Sequence, residues 1–288
     1  MTDGRQTTKD WSHLGDPPDF PDGERRLIII ASYPRSGSNW IGRTLEHALL
    51  QGIGWLDPIA RGRRGVYHDL DRFITDGRLD EIGRWASASS LILKTHRLPE
   101  FVERDAPGLL SRADLVVGVL RHPLDVMASV FRYLLWAGAV THEGERVSIV
   151  DRADELGLAA PFVDAFVSAG GHAPFEALGF GAWASHAEAW SEAMNSERGA
   201  RLKYRDLLRD ARGQLTQAVD RLGLGVTPEQ IGGALASASP DRISAQFGAG
   251  FVRSEKDVSF DALLSPEQHA RAEQAFEESV ARYALSRG

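Results

Sequence analysis

The stretch LIIIASYPRSGSNWIGRTLEHALL, residues 27–50, decides the fold. Its first six residues, LIIIAS, form a short β-branched apolar run that reads as a buried strand. From Ser38 onward the spacing of apolar residues is helical. Between the two lies a tight loop. Such a loop aims several unpaired backbone N–H groups and the positive end of a helix dipole at one place, which makes an anion site. Gly37 lets the backbone approach an anion closely, Ser36 and Ser38 add hydroxyl donors, and Arg35 adds a planar cationic fork. From Arg25 to Leu45 there are four Arg and no Asp or Glu.

The loop is not the usual nucleoside-triphosphate loop, G-x-x-x-x-G-K-[ST]. No glycine stands five positions before Gly37, and Ser38 follows it without the Lys-Ser pair that seats Mg²⁺. Nor does the later strand DLVVGVL (114–120) end in a carboxylate; it ends in Arg121. The expectation is a nucleotide held by cations and amides without a divalent metal, which counts against an ATPase or kinase.

Three further runs read as strands: SLILKT (90–95), DLVVGVL (114–120) and ARLKY (200–204). Helical patterns follow at 38–50, 124–138 and 206–224, and a last one spans 265–285, with Ser265 as N-cap and Pro266 in the first turn. This alternation predicts a three-layer α/β/α fold around a central parallel sheet carrying a P-loop-like loop. Residues 25–288 read as a single domain and the polar segment 1–24 as a flexible tail. Residues 52–89 and 138–175 are weakly patterned and read as lids or surface decoration.

Composition narrows the function. The 288 residues carry a net charge of -7, so the whole-chain balance gives no reason to expect nucleic-acid binding. There is no cysteine, which excludes disulfides and thiolate-held metals and suits a cytoplasmic location. No apolar run approaches the ~18 residues a membrane span needs.

Strand ends carry the remaining chemistry, because ligands of parallel sheets bind at the carboxyl edge. The second strand ends in Lys94, Thr95 and His96. Two residues apart on an extended chain, the Lys and His point the same way, one to stabilise negative charge and one to accept a proton. The third ends in RHPLDVMAS, where Arg121 and Ser129 converge on a second phosphate. Asp125 reads as a helix-start charge. Trp40 either packs in the core or stacks on a purine.

Together these pieces resemble the sulfotransferases that use 3'-phosphoadenosine 5'-phosphosulfate (PAPS). YPRSGSNW is similar to that family's phosphosulfate loop, LILKTH to the strand ending in its catalytic His, and RHPLDVMAS to its 3'-phosphate motif R-x-P-x-D-x-x-x-S. FGAWASHAEAW (180–190) and LKYRDLLRD (202–210) resemble two later motifs, so the resemblance runs from about residue 27 to 285. It implies that Arg35 contacts the 5' phosphate and the leaving oxygen, and that Ser36, Gly37, Ser38 and Asn39 supply loop donors. It implies that Trp40 stacks on adenine, Tyr204 approaches it, and Arg121 and Ser129 hold the 3'-phosphate. His96 becomes the general base and Lys94 binds the transferring group. The implied acceptor is a hydroxyl of a small molecule, with 3'-phosphoadenosine 5'-phosphate (PAP) as product and no metal. Trp183, His186 and Trp190 share one helical face and read as packing.

The chain departs from the pattern. Arg35 replaces the usual Lys, Ala128 a second Ser, and Ser254 and Glu255 the expected Lys and Gly of a clamp that keeps Arg253 on the 3'-phosphate. Tyr133, Trp136, Phe162 and Phe166 are candidates for an aromatic acceptor pocket, with a core role equally open. RGRRG (61–65) either attracts an acidic acceptor or is a solvated loop. Oligomeric state is open, a homodimer included. Two other readings compete: a small-molecule kinase, and a nucleotide-binding protein without turnover.

Overall fold

A computed structural model of the protein describes residues 26–50, 67–79, 91–148, 150–239, 242 and 264–287. Five parallel strands form one sheet: β1 (Leu27–Ala31), β2 (Tyr67–Asp69), β3 (Leu91–Thr95), β4 (Leu115–Leu120) and β7 (Gly199–Lys203), in spatial order β2-β3-β1-β4-β7. A short hairpin, β5 (Thr141–His142) with β6 (Glu145–Arg146), stands apart from it.

β1 is apolar at every position because both faces of the sheet are covered. Ile28 and Ile30 face one layer, with Ile92, Val117, Val119 and Leu202. That layer is built from α1 (Ser38–Leu50), α10 (Tyr204–Arg221) and α11 (Pro228–Ser237), through Ile41, Leu45, Leu215 and Ile231. Ile29 and Ala31 face the other layer, with Leu91, Leu93, Val116 and Leu120. Here α3 (Pro99–Asp105), α4 (Pro123–Trp136), α6 (Ala159–Ser168), α8 (Trp183–Ala189) and α12 (Pro266–Arg282) pack through Val102, Phe131, Phe166, Trp183 and Phe276. Each of Ile28, Ile29 and Ile30 is fully buried, worth about 1.5–3 kcal/mol apiece by transfer. The remaining helices are short: α2 (Leu70–Thr75), α5 (Val150–Glu155), α7 (Ala173–Ala177) and α9 (Ser191–Asn195).

The three-layer reading holds, and its four strands lie where expected to within a residue. Ser265 caps α12 as read: its hydroxyl accepts from Gln268 N at 3.2 Å and its own N–H donates to Gln268 Oε1 at 3.1 Å. Two expectations change. Residues 138–175 are a hairpin followed by three helices, not an irregular insertion. Within 52–89 a fifth strand, β2, appears at the sheet edge beside β3, and α2 follows it directly. A polar three-residue strand, Tyr-His-Asp, has no apolar period to reveal it.

Candidate active site

The carboxyl ends of β1, β3 and β4 meet at the centre of the sheet, where β1 lies between the other two. The β1–α1 loop bends through two left-handed residues, Arg35 (φ 69°) and Gly37 (φ 105°). Gly37 has a second constraint: a Cβ there would lie 2.8 Å from the Tyr204 ring. The tight turn carries Ser36 N donating to Tyr33 O at 3.2 Å and buries the Ser36 and Ser38 side chains. Asn39, at the start of α1, accepts through its amide oxygen from the Tyr67 hydroxyl at 2.8 Å, which leaves its NH₂ as the donor end.

The expected cations converge on this loop. Arg35 Nε donates to Ser129 Oγ on α4 at 3.2 Å, and its guanidinium lies over the Tyr133 ring at 5.0 Å. Arg121, just past β4, donates to the Arg35 carbonyl at 3.0 Å and covers the Tyr204 ring at 4.3 Å. Trp40 meets Tyr204 edge to face at 6.3 Å and leans on the core layer beneath α1. Burial first, then the neighbouring charge of Arg121, lowers Arg35 to about 10, still protonated at neutral pH. Arg121 Nε is buried with no hydrogen-bond partner among the described residues. A buried donor left open costs free energy unless something accepts from it.

The β3 end is arranged differently. Strand pairing stops at Thr95, so alternation no longer decides where His96 points. Lys94 and His96 accordingly find separate partners. Lys94 Nζ pairs with Asp69 Oδ2 at 2.5 Å, its register partner on β2. His96 Nδ1 lies 2.6 Å from the Ser32 carbonyl oxygen, and its ring meets Phe180 edge to face at 5.6 Å. A carbonyl only accepts, so Nδ1 carries the proton and Nε2 keeps its lone pair. Burial, followed by the charge of Lys94, holds the His96 pKa well below the usual imidazole value, so the ring stays neutral.

His96 lines a cleft of about 290 Å³ with Asp69, Asp71, Arg72, Thr75, Asp76, Arg97, Leu178 and Phe180. Tyr133 and Trp136 are not in this lining. They form a pair at 5.7 Å on α4, on the Arg35 side. Phe166 is core, against Phe276 at 6.2 Å, and Phe162 packs between Phe131 and Phe166. Trp183, His186 and Trp190 are buried as packing residues, and Trp190 Nε1 donates to Arg97 O at 3.0 Å. Asp125 stands in the first turn of α4. Arg253, Ser254, Glu255 and the basic run 61–65 lie outside the described residues.

Against this geometry the comparisons with known proteins are decisive about family. The sulfotransferase domain model matches residues 25–283. The chain belongs to the sulfotransferase domain family. Rat sulfotransferase 2A2 is 23% identical to it over 207 residues, 71% of this chain and 61% of that relative. Mouse sulfotransferase 2A6 is likewise 23% identical over 207 residues, 71% and 61% of the two chains. The matched part thus spans about three fifths of these relatives, 61% in each. Two solved structures share the fold. Mouse sulfotransferase SULT7A1 complexed with PAP has a TM-score of 0.57 at 16% identity, covering 95% of this chain and 90% of its own. Retinol dehydratase in complex with androsterone and inactive cofactor PAP has a TM-score of 0.56 at 16% identity, covering 93% and 84%.

In this member of the family the residues that the sequence reading missed are Asp69, Asp71, Arg97 and Phe180. The two aspartates stand in YHDLD, 67–71, and no spacing rule says which distant side chains they meet. Asp71 is buried and accepts from Thr95 Oγ1 at 2.6 Å and from His96 N at 2.7 Å. Burial, then the charge of Asp69, raises Asp71 to about 6.

Proposed function

We propose that this sulfotransferase moves a sulfuryl group from PAPS to a hydroxyl of a small-molecule acceptor, with His96 as general base. The observation that carries the reading is the bond from His96 Nδ1–H to the Ser32 carbonyl at 2.6 Å. It favours a neutral imidazole with Nε2 as the acceptor nitrogen, on a residue that lines the cleft, which is what deprotonating a hydroxyl calls for.

The donor set fits the nucleotide. Two phosphate-like groups need two clusters of donors, and the chain brings them together. Arg35 and the N–H and hydroxyl groups of Ser36, Gly37, Ser38 and Asn39 serve the 5' end. Arg121, with its open Nε, and Ser129 serve the 3'-phosphate. Trp40 and Tyr204 offer aromatic surface for the adenine. When bound, PAPS supplies an activated sulfuryl group on a phosphate leaving group. The chain's own part is positioning and charge stabilisation. Arg35 neutralises the leaving oxygen with a delocalised fork in place of a lysine's point charge. Lys94, held by Asp69, reaches the transferring group only by giving up that pair, and His96 Nε2 takes the hydroxyl proton as the acceptor oxygen bonds to sulfur and the bond from sulfur to the leaving phosphate oxygen breaks.

The acceptor belongs on the His96 side of the cleft, against Phe180 and Leu178, rather than beside Tyr133 and Trp136. Alcohols such as the androsterone seen in retinol dehydratase are the class to try first. Residues 25–288 act as one catalytic domain in this reading, and the cytoplasm is its place of work.

The test is incubation with PAPS and a panel of phenols, primary alcohols, steroid alcohols and sugars. The expected result is PAP release with an acceptor heavier by one SO₃, unaffected by EDTA. PAP should raise the Tm, and AMP much less, because binding to the native state stabilises by mass action. Equal shifts from PAP and AMP overturn the 3'-phosphate assignment. Transfer from ATP that EDTA abolishes means a kinase, and PAP binding without turnover on any acceptor means a protein that only binds nucleotide.

A further inference from the structure

We propose that Asp71 is a positioning residue of the reaction, fixing His96 in the cleft through the backbone of the strand end. The proposal rests on the sulfuryl-transfer reading of His96. It concerns a residue that touches neither the nucleotide loop nor the imidazole.

Beyond Thr95 the β-ladder no longer holds the chain. The N–H of His96 needs another acceptor, and Asp71 supplies it at 2.7 Å. The other carboxylate oxygen takes the Thr95 hydroxyl at 2.6 Å, and Thr95 Oγ1 in turn accepts from Arg97 N at 3.1 Å. Three successive residues are thereby tied to one carboxylate. From the opposite side Ser32 holds the strand end twice: its N–H donates to Thr95 O at 3.2 Å, and its carbonyl accepts from the His96 ring at 2.6 Å. His96 is clamped by backbone on the α2 side and by ring on the β1 side. The direction of Nε2 follows from both anchors together.

An amide meets the same partners only by rearrangement. Both oxygens of Asp71 accept; Asn keeps one acceptor for the His96 N–H and must turn its NH₂ on the Thr95 oxygen, which then has to give its own proton elsewhere. Ionisation strengthens both bonds, because a charged acceptor holds its donors more tightly than a neutral one. Asp71 faces Asp69 from β2, Arg72 and Asp76 from its own helix, Lys94, His96 and Arg97 from the β3 end, and Asp105 behind Arg97. Burial and the Asp69 charge push its proton affinity up, to about 6, against the bonds from Thr95 and His96 and the charge of Lys94. His96 is driven the other way, well below the ordinary imidazole value. An acid limb of activity near 6 is therefore expected from Asp71 rather than from the base. Stability has the opposite sign. A carboxyl whose folded pKa is raised binds its proton more tightly folded than unfolded, so its ionisation at neutral pH costs stability.

The experiment compares wild type, Asp71→Asn, Thr95→Val and Thr95→Ser with PAPS and the panel acceptor turned over fastest. Asp71→Asn is expected to lower kcat by about 10–100-fold at pH 7.5, the size of a small misplacement of a reacting group. The KM for PAPS should stay within about twofold, since the nucleotide donors lie elsewhere. The acid limb near pH 6 should disappear, while the Tm at neutral pH is unchanged or higher. Thr95→Val should lose activity and Thr95→Ser keep it. ¹⁵N NMR of the His96 ring, with no acceptor present, should show the Nδ1–H tautomer in wild type and a mixture in Asp71→Asn. An Asp71→Asn variant with wild-type kcat, acid limb and ring spectrum overturns the proposal. If that variant does not fold, Thr95→Val with undiminished kcat overturns it instead. Failure of wild type to bind PAP or transfer from PAPS strikes the function itself, and the ring spectrum still decides the role of Asp71.

Discussion

The two halves of the site handle positive charge in opposite ways. On the β1–β4 side the cations rest on aromatic rings: Arg35 over Tyr133 at 5.0 Å and Arg121 over Tyr204 at 4.3 Å. On the β3 side they rest on carboxylates: Lys94 on Asp69 at 2.5 Å, and Arg97 on Asp105 at 2.6 Å and near Asp71 at 3.8 Å. A ring face orients a guanidinium through its quadrupole and carries no formal charge of its own. A carboxylate cancels the charge and fixes the geometry. The first half suits the polyanion of the proposed function. In the second, burial and the charge of Lys94 keep the His96 imidazole neutral.

This division can be broken by experiment. The largest effect is expected from His96→Ala: turnover should fall by about 10²–10⁴-fold while PAP still raises the Tm as in wild type. Loss of PAP binding in that variant would show that the two halves are not separable. Next in size is Arg121→Ala. A charge-assisted hydrogen bond is worth about 1.5–3 kcal/mol, so PAP binding should weaken roughly ten- to a hundred-fold by calorimetry. AMP binding should hardly change, and an equal loss for PAP and AMP would take the 3'-phosphate away from Arg121. The smallest effect is expected from Asp69→Asn. Asp69 is 42% exposed and Lys94 only 7%, but an Asn oxygen still accepts from the ammonium and still caps α2, so the Tm should move by only a few degrees. A collapse of the Tm in that variant would mean that the pair holds the sheet edge together, and not Lys94 alone.

Much of this was legible, unevenly. TPEQ at 227–230 repeats the pattern of SPEQ at 265–268, and both open a helix with a reciprocal cap. The second signal was read and the first, equally plain, was not. The helix patterns at 124–138 and 206–224 were found a residue or two late, because their starts are set by Pro123 after the His122 cap and by the turn out of β7. Tyr133 and Trp136 are acceptor candidates by residue type, with a core role equally open. Packing places Tyr133 against the Arg35 guanidinium and Trp136 against Tyr133.

By itself the sequence determined the strand–loop–helix at 27–50, the order of the parallel strands' contributions, and the cations Arg35 and Arg121 at the strand ends. These are local properties: apolar period, loop length, and a glycine that the backbone needs at φ 105°. Only the tertiary structure decided what Lys94 and His96 meet. Asp69 and Asp71 reach them because β2 adds to the sheet edge in the register Asp69↔Lys94. A shift of one residue would turn every side chain of that short strand to the other face. Register at an edge is set by pairing across the sheet, so no period along the chain could announce it.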